Sequence, residues 1–309
     1  MTEPLSTPLR RRREPPPSRA GGVALGLLRT ARPRQWVKNV LVAAAPAAAG
    51  VLLTPAVAAR TAIAFAAFCL AASGTYCVND ALDAEADRQH PRKRTRPVAA
   101  GVVPPRAALT AGAVLLAAAV AAAAAASPAF ALVVVAYGVL TVAYSLWLKH
   151  VAVIDLLAVS AGFVLRAASG GVAADVVLSE WFLIVTSFGA LFVVTGKRHG
   201  EMAALGSDSA VHRATLARYT PGFTALVLTA SLSITLVGYC LWAFEQAAGT
   251  GLGWFAASIV PCVAVLLRYA QLVHDGRGSD PVELVFSDRG LQAGGALWAL
   301  TLVGALTLS

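Results

Sequence analysis

Residues 61–87 read TAIAFAAFCLAASGTYCVNDALDAEAD, and they decide the fold class. The first nineteen carry no charge, close to the about 20 apolar residues a helix needs to cross a bilayer. The apolar residues run continuously and do not alternate, so the segment reads as a helix and not as a barrel strand. Its end then fills with acids: Asn79, Asp80, Asp83, Glu85 and Asp87. On a helix Asp80, Asp83 and Asp87 stand at i, i+3 and i+7 and share one face. Like charges repel there, and the helix C-terminus is the end the macrodipole makes hostile to anions. A divalent cation rewards the arrangement. Mg²⁺ takes oxygen ligands, keeps several waters and joins one or two carboxylates to a substrate's phosphates. Asp80, Asp83 and Asp87 are therefore the candidate catalytic and metal-binding acids, with Asn79 adding a carbonyl oxygen.

The next stretch, Arg88-Gln89-His90-Pro91-Arg92-Lys93-Arg94-Thr95-Arg96-Pro97, places cations beside those acids. A basic loop at a membrane edge sets topology or touches anionic lipid. Next to a Mg²⁺–carboxylate site it also suits phosphate oxygens, which makes Arg92, Lys93 and Arg96 candidate ligands.

The whole chain agrees with a membrane reading. Of 309 residues 58% are hydrophobic and 13% are charged, yet the net charge is +9. Soluble domains are about a quarter charged, disordered chains are far less apolar, and nucleic-acid binders match the charge but not the hydropathy. Nine spans are predicted: 37–53, 61–79, 107–126, 129–147, 152–170, 181–197, 221–242, 254–270 and 290–308. The reading is an all-α bundle of nine transmembrane helices, with a basic disordered tail over 1–22 and a catalytic domain over 23–309. With those spans, 23 of the 25 Lys and Arg fall on one face, Arg60 on the other, and Arg166 inside the fifth span. The positive-inside rule makes the rich face cytoplasmic, with the N-terminus inside and the C-terminus outside a plasma membrane. Cys69, Cys77, Cys240 and Cys262 show no metal-ligand spacing and read as small apolar residues.

The NDxxDxxxD pattern, the HPxKRxRPxAAG that follows it, RPRQWVKN (32–39), YSLWLKH (144–150), GFVLRAASGG (162–171) and GKRHGE (196–201) resemble the UbiA prenyltransferase superfamily. The resemblance implies a nine-helix protein with a cytoplasm-facing cavity, Mg²⁺ and a diphosphate substrate. Typical members carry a second Asp-rich motif after the sixth span. Here that position reads Thr195-Gly196-Lys197-Arg198-His199-Gly200-Glu201, with cations in place of most acids. That departure is similar to the branch that transfers 5-phosphoribose from phosphoribosyl pyrophosphate (PRPP) to decaprenyl phosphate, releasing pyrophosphate, for arabinan synthesis in the cell wall. The resemblance implies PRPP from the cytosol and polyprenyl phosphate from the bilayer as partners, with no nucleic acid, and it allows a homo-oligomer. It places Lys38, Asn39, Tyr144, Lys149, Asp155, Lys197, Arg198 and Glu201 among the substrate ligands, with Arg34 and Arg166 behind them. Prenyl transfer to an aromatic or lipid acceptor would require the missing acidic motif. A transporter would explain Asp155 and Arg166 but not three acids at a membrane edge. A CDP-alcohol phosphotransferase would need Asp-Gly and Ala-Arg spacings that are missing here.

Overall fold

The computed structural model describes residues 19–91, 93–205, 218–250 and 253–307, and all regular structure among them is helical. Helix α1 is Arg19–Ala31, followed by a 3₁₀ helix at Pro33–Ala43 and by α2, Ala44–Ala48. Then come α3 (Pro55–Leu82), α4 (Ala84–Gln89), α5 (Pro105–Ala126), α6 (Pro128–Leu146), α7 (Ile154–Ala174) and α8 (Glu180–Leu205). The chain closes with α9 (Pro221–Thr250), α10 (Trp254–Ala257), α11 (Ile259–His274), α12 (Pro281–Ser287) and α13 (Arg289–Thr307). The first helix starts at Arg19, inside the tail expected over 1–22, and residues 1–18 lie outside the described residues.

Seven stretches among the described residues are long and apolar enough to cross a membrane: α3, α5, α6, α7, α8, α9, and α10 with α11. They coincide with the second to the eighth of the predicted spans. The ninth, α13, is a 19-residue helix that does not belong to that set. The first, expected at 37–53, is replaced by the 3₁₀ helix and the five residues of α2. Two local causes act together. Val37, Val40 and Val42 are β-branched and crowd an α-helical turn, and Pro46 removes a donor. The segment also runs against α7 so closely that a Cβ on Gly170 would overlap the carbonyl oxygen of Val42.

The 3₁₀ helix has three residues per turn, so its faces recur every third residue. Arg34, Val37 and Val40 form an exposed face, whereas Asn39 and Val42 are buried below half-buried Trp36. Lys38 lies on the third face and is half-buried. Trp36 fixes the register by donating from Nε1 to Ser73 Oγ on α3 at 3.0 Å.

Small residues set the helix spacing elsewhere. A Cβ on Gly74 of α3 would come within 2.9 Å of the Gly112 oxygen on α5, and one on Gly112 within 2.9 Å of the Gly74 oxygen. Such close backbone approach supplies the van der Waals contact that holds helices together in lipid, where apolar burial alone gives no preference for protein over tails. Phe68, Phe130, Val134 and Tyr137 fill the core between α3 and α6.

Candidate functional site

Helix α3 closes at Leu82, and Asp83 sits at the junction with α4 at φ −89°, ψ 4°. The three acids therefore do not share one continuous helical face, as their spacing predicts. Asp80 belongs to α3 and Asp87 to α4, and the junction bends between them. Both nevertheless meet one guanidinium: Arg96 Nη1 lies 3.2 Å from Asp80 Oδ1 and 2.7 Å from Asp87 Oδ2. Lys93 adds a longer contact to Asp87 at 3.9 Å. Arg32 pairs with Asp80 Oδ1 and lays its guanidinium over the Tyr76 ring, 4.8 Å from the centroid. Asp83 turns the other way and takes Lys149 Nζ at 2.6 Å. Each acid thus has a basic partner, and the cations come from three separate segments of chain.

Asp80 and Asp87 are buried, and Asp80 Oδ2 has no hydrogen-bond partner. A buried carboxylate oxygen without a donor is costly unless something positive completes it. Among the described residues no three His, Cys, Asp or Glu converge as a metal cage. The unpartnered Asp80 oxygen is compatible with Mg²⁺, which binds through one or two carboxylates and fills its remaining positions with water and substrate phosphate.

A second network joins α6, α7 and α8. Arg198 Nε donates to Asp155 Oδ2 at 2.8 Å and Nη2 to Asp155 Oδ1 at 3.2 Å. Its Nη1 reaches Glu201 at 2.8 Å, and Nη2 reaches the Tyr144 hydroxyl at 3.2 Å. Tyr144 in turn donates to Asp155 at 2.7 Å. Arg198 and Asp155 are almost fully buried. Sequence reading assigns all four to substrate; the structure commits them to one another, as a clasp between α6, α7 and α8. Lys197, on the preceding position of α8, is different: its side chain is 44% exposed and lies 3.8 Å from Glu201.

A third network is deeper. Arg166 on α7 donates from Nε to Asn39 Oδ1 at 2.7 Å and from Nη2 to the Tyr137 hydroxyl at 2.9 Å. The Asn39 amide donates to Cys69 Sγ at 3.2 Å. The rings of Tyr137 and Phe163 lie 5.3 Å from the guanidinium carbon. Asn39 is thus a support for Arg166 and not a direct neighbour of the acids. Lys38, half-buried on the 3₁₀ helix, is close enough to Lys197, Arg166, Arg32 and Asp280 for their charges to act on it.

Of the other sequence candidates, Asn79 is half-buried beside Asp80, Arg34 lies on the exposed 3₁₀ face, and Arg92 falls outside the described residues. Arg32, Tyr137 and Cys69 were not singled out by sequence. Arg32 opens the quoted RPRQWVKN segment, and that position is its one signal.

The model of the UbiA prenyltransferase family matches residues 40–287. A protein named decaprenyl-phosphate phosphoribosyltransferase from Mycobacterium tuberculosis is 43% identical over 284 residues, covering 91% of this chain and 93% of the relative. One of the same name from Corynebacterium glutamicum is 41% identical over 313 residues, covering 99% and 93%. Among solved structures, a UbiA homologue from Archaeoglobus fulgidus bound to DMAPP and Mg²⁺ superposes with a TM-score of 0.70 at 17% identity, over 92% of this chain and 98% of that one.

Proposed function

The chain belongs to the UbiA prenyltransferase family, and from that premise we propose that it is a membrane phosphoribosyltransferase acting on PRPP and decaprenyl phosphate. The product is decaprenylphosphoryl-5-phosphoribose, a donor for cell-wall arabinan. The observation that carries this reading is the surround of the acids. Arg32, Arg96, Lys93 and Lys149 pair with Asp80, Asp83 and Asp87, and Lys197 and Arg198 stand where a second acidic motif is expected. A prenyl diphosphate needs fewer cations than a sugar with a pyrophosphate at one end and a phosphate at the other.

Asp80 and Asp87, which share Arg96, would hold Mg²⁺, which when bound neutralises charge on the departing pyrophosphate, whereas Asp83, expected from its spacing to join them, is turned to Lys149. Arg96, Lys93 and Arg32 sit within reach of the same oxygens, and they can move from carboxylate to phosphate as substrate arrives. An oxygen of the lipid phosphate forms the bond to ribose C1 while the bond from C1 to the pyrophosphate oxygen breaks, and the electron pair leaves with pyrophosphate. The nucleophile is already ionised at neutral pH, so no residue need take a proton, and none of the histidines approaches the acids within hydrogen-bond distance among the described residues. Catalysis then rests on position and charge. Single displacement gives inversion at C1.

The bundle is a multi-span membrane protein, and we assign the acid-bearing face to the cytoplasm of the plasma membrane, where PRPP is met. The test is transfer of label from PRPP to decaprenyl phosphate in membranes containing the protein, with and without Mg²⁺. A labelled lipid that appears only with Mg²⁺ supports the assignment; no labelled lipid overturns it.

A further inference from the structure

Five basic side chains of the first two networks are held by carboxylates. Arg32 and Arg96 have Asp80, Lys149 has Asp83, Lys93 has Asp87, and Arg198 has Asp155. Arg166 is the exception. It is 5% exposed, and all its partners among the described residues are neutral: Asn39, Tyr137 and the ring of Phe163. A buried charge without a counter-charge is unfavourable, and neutral hydrogen bonds offset that only in part. Lys38, next to Asn39 on the adjoining face of the 3₁₀ helix, is half-buried and adds a second positive charge to this segment. The pair is organised for an anion.

We propose that Arg166, oriented by Asn39 and Tyr137 and assisted by Lys38, receives the phosphate of the acceptor lipid. This rests on the transferase reading and deepens it. Depth separates this phosphate from those of the sugar. Cys69, which takes the Asn39 amide, lies eleven residues before Asp80 on α3, about 16 Å along the axis. The 3₁₀ helix links the two levels: Arg32 at its start pairs with Asp80, and Asn39, seven residues on, holds Arg166. The surroundings suit a lipid. Tyr137 belongs to the apolar core with Phe68 and Phe130, and Leu165 packs against it. The reaction geometry asks for the same placement. Nucleophile and leaving group occupy opposite faces of C1, so pyrophosphate at the acids leaves the deeper face for the incoming phosphate.

The test varies each substrate against the other in Arg166→Gln and Arg166→Lys. Loss of a charge-assisted contact predicts a rise of about 10- to 100-fold in KM for decaprenyl phosphate in Arg166→Gln. The KM for PRPP should move by less than about twofold, and Arg166→Lys should recover part of the loss. A rise confined to PRPP, an equal rise in both, or a fall in kcat alone overturns the proposal. Thermal unfolding of the unaltered protein in detergent gives an arm that needs neither a folded variant nor turnover. Decaprenyl phosphate, without PRPP and in EDTA, should raise the unfolding temperature, and the alcohol of the same chain length should not. Equal effects of phosphate and alcohol overturn the assignment. Failure of the transferase reading is distinct, since it shows as no labelled lipid from the unaltered protein.

Discussion

Arg32 holds Asp80 from a backbone in the left-handed region, at φ 52° and ψ 61°. That conformation is unfavourable for a residue with a Cβ and persists where its surroundings over-determine it. Here it turns the chain from α1 into the 3₁₀ helix and aims the guanidinium at the acid. Arg32→Ala should reduce transfer by about 100-fold, the scale of losing a charged group preorganised at a reacting centre, with Arg32→Lys between the two. Labelled-lipid formation at saturating Mg²⁺ measures it, and unaltered activity would assign the contact to folding alone.

Asp80 carries the buried oxygen that lacks a partner. Asp80→Asn keeps the volume and removes the charge. Transfer should fall by at least about 100-fold, and the Mg²⁺ concentration for half-maximal rate should rise. A titration of rate against Mg²⁺ separates the two effects. Full activity with an unchanged Mg²⁺ requirement would remove Asp80 from the metal site.

Arg198 and Lys197 are neighbours with different work. Breaking the buried Arg198–Asp155 pair from one side leaves an uncompensated charge, so Arg198→Ala should destabilise the protein by about 3–5 kcal/mol. Lys197→Ala should leave the unfolding temperature nearly unchanged, since its side chain is 44% exposed and its contact to Glu201 is long, and should raise the KM for PRPP more than that for lipid. Melting curves and steady-state kinetics on both variants check the contrast.

Glycines divide in the same way. Gly170→Ala must displace the Val42 backbone and should prevent accumulation of folded protein. Gly295, on α13 with nothing within 4 Å of an added Cβ, should accept alanine with a gain of about 0.5–1 kcal/mol. Detergent-solubilised yield and melting temperature decide it.

Asp288 is held at a pKa of about 2 by its hydrogen bond from Arg268, reinforced by the Leu291 N–H. A carboxyl depressed on folding contributes stability above its unfolded pKa, and that contribution is lost as pH falls through the folded value. Acid unfolding should therefore steepen between about pH 4 and 2, and Asp288→Asn should flatten that limb. An unchanged profile would show that the pair is not maintained in the folded protein.

Hydropathy placed seven of the spans because a run of apolar residues without charge has one solution in a bilayer. It could not resolve the first, where hydropathy is the same for an α-helix and a 3₁₀ helix, and the choice falls to the valines, Pro46 and the contacts with Gly170 and Ser73. The acids and their basic loop were legible because like charges gathered at a helix end need a cation. The Asp155–Arg198 clasp was not, since its halves are 43 positions apart and each alone resembles a ligand. Arg32 and Arg34 look alike in sequence; the left-handed turn at Arg32 sends one to Asp80 and leaves the other in the exposed row.

The 3₁₀ helix gives this stretch of chain a frame of three. Lys38 and Asn39 are adjacent in sequence, but a third of a turn separates the half-buried cation from the amide that braces Arg166. Removing one residue before Lys38 would rotate its charge into the position of a neighbouring face and break both roles together. Removing three would preserve every face and shorten the crossing by about 6 Å. Tolerated length changes between Pro33 and Ala43 should therefore come in threes, a periodicity imposed by the backbone and independent of which side chains it carries.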